Sequence, residues 1–170
     1  MSGAVLSLGS NLGDREDMLC KALGALSALP NTTVLSTSYV YETQPVGYFN
    51  QPLFLNAAVL VDTELSPHTL LGCCLGIEAA LGRERNIKNG PRVIDIDLLL
   101  YQGVSCTGDE LTLPHPRMAQ RAFVLVPLAD IFPNGIVFEF NFSGQISKAF
   151  NDTGVVKYNN LCLDESRVDR

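Results

Sequence analysis

Gly90-Pro91-Arg92-Val93-Ile94-Asp95-Ile96-Asp97-Leu98-Leu99-Leu100-Tyr101 is the stretch on which the fold turns. Val93 to Tyr101 is apolar almost without a break, which predicts a buried strand in the middle of a sheet. Only Asp95 and Asp97 interrupt it. Residues two apart on a strand share a face, so both carboxylates project the same way, about 6 to 7 Å apart, while Ile94, Ile96 and Leu98 take the other face. Two like charges at that separation cost roughly 2 to 3 kcal/mol at an effective dielectric of about 20, before desolvation is counted. Something positive is expected beside them. The pair reads either as a hard-oxygen site for Mg2+ or as a structural pair met by arginines on a solvated edge.

Outward from this strand, the periodicity alternates between sheet and helix. Ala4 to Leu8 is a short apolar run that ends in Gly9-Ser10-Asn11-Leu12-Gly13, after which Asp14 caps a helix carrying Met18, Leu19, Ala22, Leu23 and Leu26. Thr33 to Tyr41 and Leu55 to Thr63 are rich in β-branched and aromatic residues and read as two strands. Ser66-Pro67 starts a helix through Leu81, stopped by Gly82. Beyond Tyr101, residues 102 to 113 form a turn-rich excursion, Pro116 to Ile131 reads as a helix with a proline inside it, and Ile136 to Phe140 as an edge strand. Ser143 is expected to cap a last short helix to about Phe150. The pattern implies one α+β domain over residues 1–150, a sheet with helices packed on it, and a tail or linker stump over 151–170.

Composition sets the outer limits. The chain has 170 residues, 46% hydrophobic and 18% charged, enough to bury the core of a single domain. Its net charge of −6 argues against sequence-independent binding to nucleic acid or to an anionic membrane. The five cysteines are odd in number and form no Cys-x-x-Cys pair, so reduced thiols are expected. No apolar run approaches the roughly 18 residues of a membrane span, and the N-terminus lacks a basic export region, which reads as a soluble, cytoplasmic protein.

Six of the 12 cationic residues, Arg83, Arg85, Lys88, Arg92, Arg117 and Arg121, fall between positions 83 and 121 of this acidic chain. Arginine forks match phosphate oxygens, so a basic loop beside a metal-binding strand suits a nucleoside triphosphate, although a solvated charged loop has the same composition. The Gly9 to Gly13 turn lacks the lysine of a P-loop and reads better as a strand-to-helix connection. His115, between two prolines, is either a surface residue or a donor to phosphate. Phe54 and Asn56 share a strand face, and with the ring of Phe123 they offer stacking and an amide to a flat heterocycle; the phenylalanines also fit a core.

Gly9-Ser10-Asn11-Leu12-Gly13, Tyr41-Glu42-Thr43 with Pro45-Val46-Gly47, Phe54-Leu55-Asn56-Ala57-Ala58, the Gly90 to Leu99 block, and Leu113-Pro114-His115-Pro116-Arg117-Met118 with Arg121, Phe123 and Pro127-Leu128 together resemble the 6-hydroxymethyl-7,8-dihydropterin pyrophosphokinase family of folate biosynthesis. The likeness runs in order from about residue 4 to residue 133. It implies a monomeric ferredoxin-like α+β sandwich that moves the β,γ-diphosphate of ATP to the pterin hydroxymethyl group and releases AMP. It implies two Mg2+ ions on Asp95 and Asp97, with Arg83 and Arg92 assisting on the phosphates. It further implies ATP contacts at Glu78, Arg85, Ile96, Leu98, Thr112, His115 and Arg121. The pterin would lie between Phe54 and Phe123, held by Asn56 and Asp95 and edged by Thr43 and Val46. Asn89 departs from the tryptophan common at its position. Relatives fused to other folate enzymes make a module of a longer protein a further expectation. A nucleotidyltransferase also combines a Gly-Ser turn with an Asp-x-Asp strand, but there the turn closely precedes the aspartates, unlike Ser10 and Asp95.

Overall fold

The structure is a computed structural model that describes residues 1–161. Strand β1 (Ser2–Ser10) is buried throughout from Ala4 onward and leads into helix α1 (Arg15–Ser27), where the Asp14 carboxylate accepts the Asp17 N–H at 3.0 Å, the expected cap. The single strand predicted over 33–41 is two, β2 (Thr32–Thr37) and β3 (Tyr39–Thr43). Ser38 divides them: its N–H donates to the Ala58 carbonyl, and its hydroxyl accepts the Ala58 N–H. Both halves pair antiparallel with β4 (Phe54–Thr63). Helix α2 (Pro67–Ala80) starts on the Ser66 hydroxyl and gives way before Gly82, whose φ of +89° only glycine adopts without strain.

Strand β5 (Asp95–Tyr101) is an edge of the main sheet, not its centre, because the order is β10 (Val155–Asn160), β3, β4, β1, β5, with β2 also on β4. Its apolar character comes from cover on both faces. Ile96 and Leu98 join Leu6, Leu8, Leu19 and Leu70 in a core under α1 and α2. A register shift against β1 at Val5/Leu6 precedes Leu99 and Leu100, which pack on the opposite core with Met118, Val124 and Leu128. Helices thus cover both faces of the sheet.

The remaining elements form the second cover and the rim. β6 (Cys106–Thr107) and β7 (Thr112–Leu113) make a small hairpin. The helix expected from Pro116 is a 3-10 turn, Met118–Gln120, then α3 (Ala122–Ile131), separated by Arg121 in an extended conformation. β8 (Ile136–Val137) pairs with β9 (Phe140–Asn141) and not with the main sheet. α4 (Ser143–Ala149) starts on Phe142, so Ser143 is its first residue and not its cap. β10 (Val155–Asn160) pairs with β3, within the stretch read as a tail; residues 162–170 lie outside the described residues. Cys73, Cys74 and Cys106 are free thiols, whereas Cys20 is disulfide-bonded, which corrects the expectation of reduced thiols throughout. Among the described residues no helix is long and apolar enough to cross a membrane.

Candidate active site

The sheet register assembles the floor of a cavity of about 360 Å³. Asn56 on β4 pairs with Gly9 on β1, and Gly9 pairs in turn with Asp95 on β5, so these three residues stand in one row across three strands. The next row brings Ser7 to Asp97, and Thr43 on β3 faces Phe54. Asp95 and Asp97 therefore lie on one face, as the alternation demanded. Gly9 keeps the floor flat between them and the amide, since a Cβ there would come within 2.8 Å of Asn56 Oδ1. Asn56 Nδ2 donates to the Thr43 hydroxyl at 2.5 Å, which fixes the amide orientation and leaves Oδ1 as its open acceptor.

Two loops form the walls, and one buried side chain ties them. Asn11 Nδ2 donates to Gln51 Oε1 and to the Pro52 carbonyl, both at 2.9 Å, while its Oδ1 accepts the Arg92 N–H at 2.8 Å. Gln51 Nε2 continues to the Asn89 carbonyl at 2.9 Å. Loop 44–53 and loop 82–93 are thus linked through the turn after β1. Gly47, at φ +86°, sits against Asn89, where a Cβ would be 3.3 Å from the amide nitrogen.

The charges are organised around Glu78 and Asp95. Glu78, 3% exposed on α2, accepts the Ile96 N–H at 2.8 Å, Arg83 Nη1 at 2.7 Å and Arg85 Nη2 at 3.0 Å. Burial pushes its carboxyl up, with the Ile96 bond and Arg83 pulling the other way. Arg83 Nη1 also reaches Asp95 at 2.5 Å, and Arg92 reaches it at 3.4 Å. Asp97 has no ion pair among the described residues, and burial followed by the Asp95 charge pushes it up to about 6. Arg92 lies over the Phe54 ring and Arg121 over the Phe123 ring, each 5.4 Å from the centroid.

The cavity brings together Thr43, Val46, Phe54, Asn56 and Phe123, and opposite them Arg83, Arg85, Arg92, Asp95, Asp97, His115 and Arg121. It does not include Glu78, Ile96, Leu98 or Thr112. The side chains of Ile96 and Leu98 are core, and the Thr112 hydroxyl donates to the Gly108 carbonyl. Arg117, one of the six clustered cations, also lines it, as do Gly9, Gln44, Gly47 and Asn89, which had not been given a role in the site. For Gly9 and Gly47 the usable signal was a glycine at a strand end and in a loop; for Gln44 the sequence offered none.

His115 Nδ1 accepts the Arg117 N–H at 3.2 Å, which leaves Nε2 to carry the ring proton. Burial, then Arg121 and Arg117, lower its affinity for a second proton. The residues fit a divalent cation: Asp95 and Asp97 supply hard oxygens, and among the described residues no group of three His, Cys, Asp or Glu side chains encloses one. The other ligands would come from water and phosphate, as Mg2+ prefers. Arg83 Nε is buried without a hydrogen-bond partner, an unsatisfied donor of the kind an anion satisfies.

Two carboxylates facing an arginine wall, beside an amide and two aromatic rings, stand on a β1-α1-β3-β4-α2-β5 frame, which defines a ferredoxin-like protein. Comparison with known proteins agrees. The family model for 7,8-dihydro-6-hydroxymethylpterin-pyrophosphokinase matches residues 5–133, and the chain belongs to that family. It is 53% identical over 137 residues to the 2-amino-4-hydroxy-6-hydroxymethyldihydropteridine pyrophosphokinase of Methylorubrum extorquens, covering 81% of this chain and 87% of that one. The protein of the same name from Bacillus subtilis is 47% identical over 128 residues, 75% of this chain and 77% of its own. A Plasmodium falciparum HPPK-DHPS crystal structure shares the fold with a TM-score of 0.64 at 17% identity, over 86% of this chain and 45% of that chain.

Proposed function

We propose that this protein transfers the β,γ-diphosphate of ATP to the hydroxymethyl group of 6-hydroxymethyl-7,8-dihydropterin and releases AMP, as a step of folate biosynthesis. The single observation that carries the reading is one cavity in which the Thr43–Asn56 amide pair abuts Asp95, Asp97 and the arginines. Asn56 Oδ1 accepts from the ring N–H groups of the pterin, and Phe54 and Phe123 stack on its faces in place of the guanidiniums that now lie there. Asp95 and Asp97 would hold two Mg2+ ions, which would neutralise the triphosphate and polarise its oxygens. Arg83 and Arg92, which lie on Asp95, are the guanidiniums placed to bind phosphate oxygens. The arginines then hold the β-phosphorus in line with the hydroxymethyl oxygen and stabilise charge on departing AMP. His115 donates from Nε2 to a phosphate oxygen.

Within this reading residues 1–150 carry the chemistry and β10 supports β3. The enzyme works in the cytoplasm as a monomer or as a module of a longer folate enzyme. The test is to incubate the protein with Mg-ATP and the hydroxymethyl dihydropterin and identify the nucleotide released. AMP is expected, ADP would mean ordinary kinase chemistry, and absence of turnover would mean a pterin-binding module.

A further inference from the structure

Arg117 is the arginine of the cavity wall that no side chain holds among the described residues. Its guanidinium is exposed at the wall and has neither a carboxylate partner nor a hydrogen bond among the described residues. The other arginines of the wall are held: Arg83 and Arg85 on Glu78, Arg92 on Asp95, Arg121 on the Phe123 ring. The Arg117 N–H is bonded to His115 Nδ1, so its backbone is anchored while its side chain is free. We propose that Arg117 is a further phosphate-binding residue, contacting the triphosphate of the nucleotide from the wall of the cavity.

The electrostatics support that placement. Arg117, His115 and Arg121 line the same cavity as Asp95 and Asp97, and the Arg117 charge acts on both Arg121 and His115. Two uncompensated guanidiniums repel each other, and a polyphosphate anion spanning them removes that repulsion and gains charge-assisted hydrogen bonds. An exposed arginine serving only solubility has no need of a bonded turn that aims it at the cavity.

This inference rests on the nucleotide reading of the same site, and the test separates the two. Calorimetric titration with the Mg2+ complex of a non-hydrolysable ATP analogue, with AMP, and with the hydroxymethyl dihydropterin is carried out on the wild type, Arg117→Ala and Arg117→Lys. Arg117→Ala is expected to bind the triphosphate analogue about tenfold more weakly, equivalent to about 1.4 kcal/mol, with AMP and pterin affinities within about a factor of three. Arg117→Lys should recover part of the loss, because it restores the charge without the fork. Unchanged triphosphate affinity in Arg117→Ala overturns the inference alone. Equal weakening of all three ligands, with no rescue by lysine, overturns it in favour of a structural role for the turn. A wild type that binds no triphosphate overturns the nucleotide reading and this inference with it.

Discussion

Asp97 occupies a place where its own charge is unwelcome, shielded from water and next to Asp95, and its carboxyl is pushed up to about 6 from a usual value near 4. The sign follows from linkage. An acid that holds its proton more tightly folded than unfolded favours the folded state when protonated, so the metal-free protein is more stable below pH ~4 in this respect and loses that advantage as pH rises to about 6. The loss is on the order of 3 kcal/mol. Asp97→Asn removes it, so the variant should melt higher than the wild type at pH 8 without metal while having no Mg2+-dependent turnover. A lower melting point, or near-normal turnover, would contradict the assigned role. His115 behaves in the opposite sense. Its lowered proton affinity means that acidification below pH about 6.5 favours the unfolded chain, and imidazole NMR should show Nδ1 unprotonated at neutral pH. Binding of a triphosphate should raise its pKa, and an unmoved titration would separate His115 from the phosphates.

Between helix and sheet, the Glu78 side chain accepts three hydrogen bonds, joining α2 to the start of β5 through the Ile96 N–H and organising Arg83 and Arg85. The family resemblance implied a nucleotide contact, but the carboxylate is buried behind the arginines and does not line the cavity. Glu78→Ala takes one of the two carboxylates from Arg83 and leaves the buried Ile96 N–H without its acceptor, which should destabilise the fold by about 3 to 5 kcal/mol in chemical denaturation. A change under about 1 kcal/mol would show that the network is dispensable. What the sequence made legible at this scale was local: Asp14 and Ser66 as caps, the stop at Gly82, the shared face of Asp95 and Asp97. What it hid depends on partners. The apolar run of β5 reports cover by helices on both faces and not the number of neighbouring strands, so a buried edge strand looked central. Ser38 breaks a strand because of where Ala58 lies, and Asn11 is a loop tie only because Gln51 and Arg92 meet it.

Across the whole molecule, the site lies where β1 brings Gly9, β3 Thr43, β4 Phe54 and Asn56, and β5 Asp95 and Asp97 to one cavity, so its assembly requires the long-range pairings of β1 with β4 and β5 and of β3 with β4. That is why the aspartates and arginines, clustered in sequence, were readable, whereas Gln44, just past the end of β3, carried no signal of its own. It also makes the far edge relevant to chemistry. β10 pairs Val155 with Thr43 and Val156 with Glu42, and the Tyr158 hydroxyl donates to Glu16 on α1 at 3.0 Å. Most of β10 is exposed, so its contribution to the core is small and its chief effect is to hold β3 in register under the Thr43–Asn56 pair. A chain ending at residue 154, compared with one ending at residue 161, should melt a few degrees lower, as about 1 to 2 kcal/mol implies for this size. Without β10 the edge at Thr43 loosens, so pterin affinity should fall while the affinity for the triphosphate analogue, whose contacts lie across the sheet on β5 and its loops, stays unchanged. Equal melting points for the two chains, or a parallel loss of both ligands, would show that β10 does not act through β3.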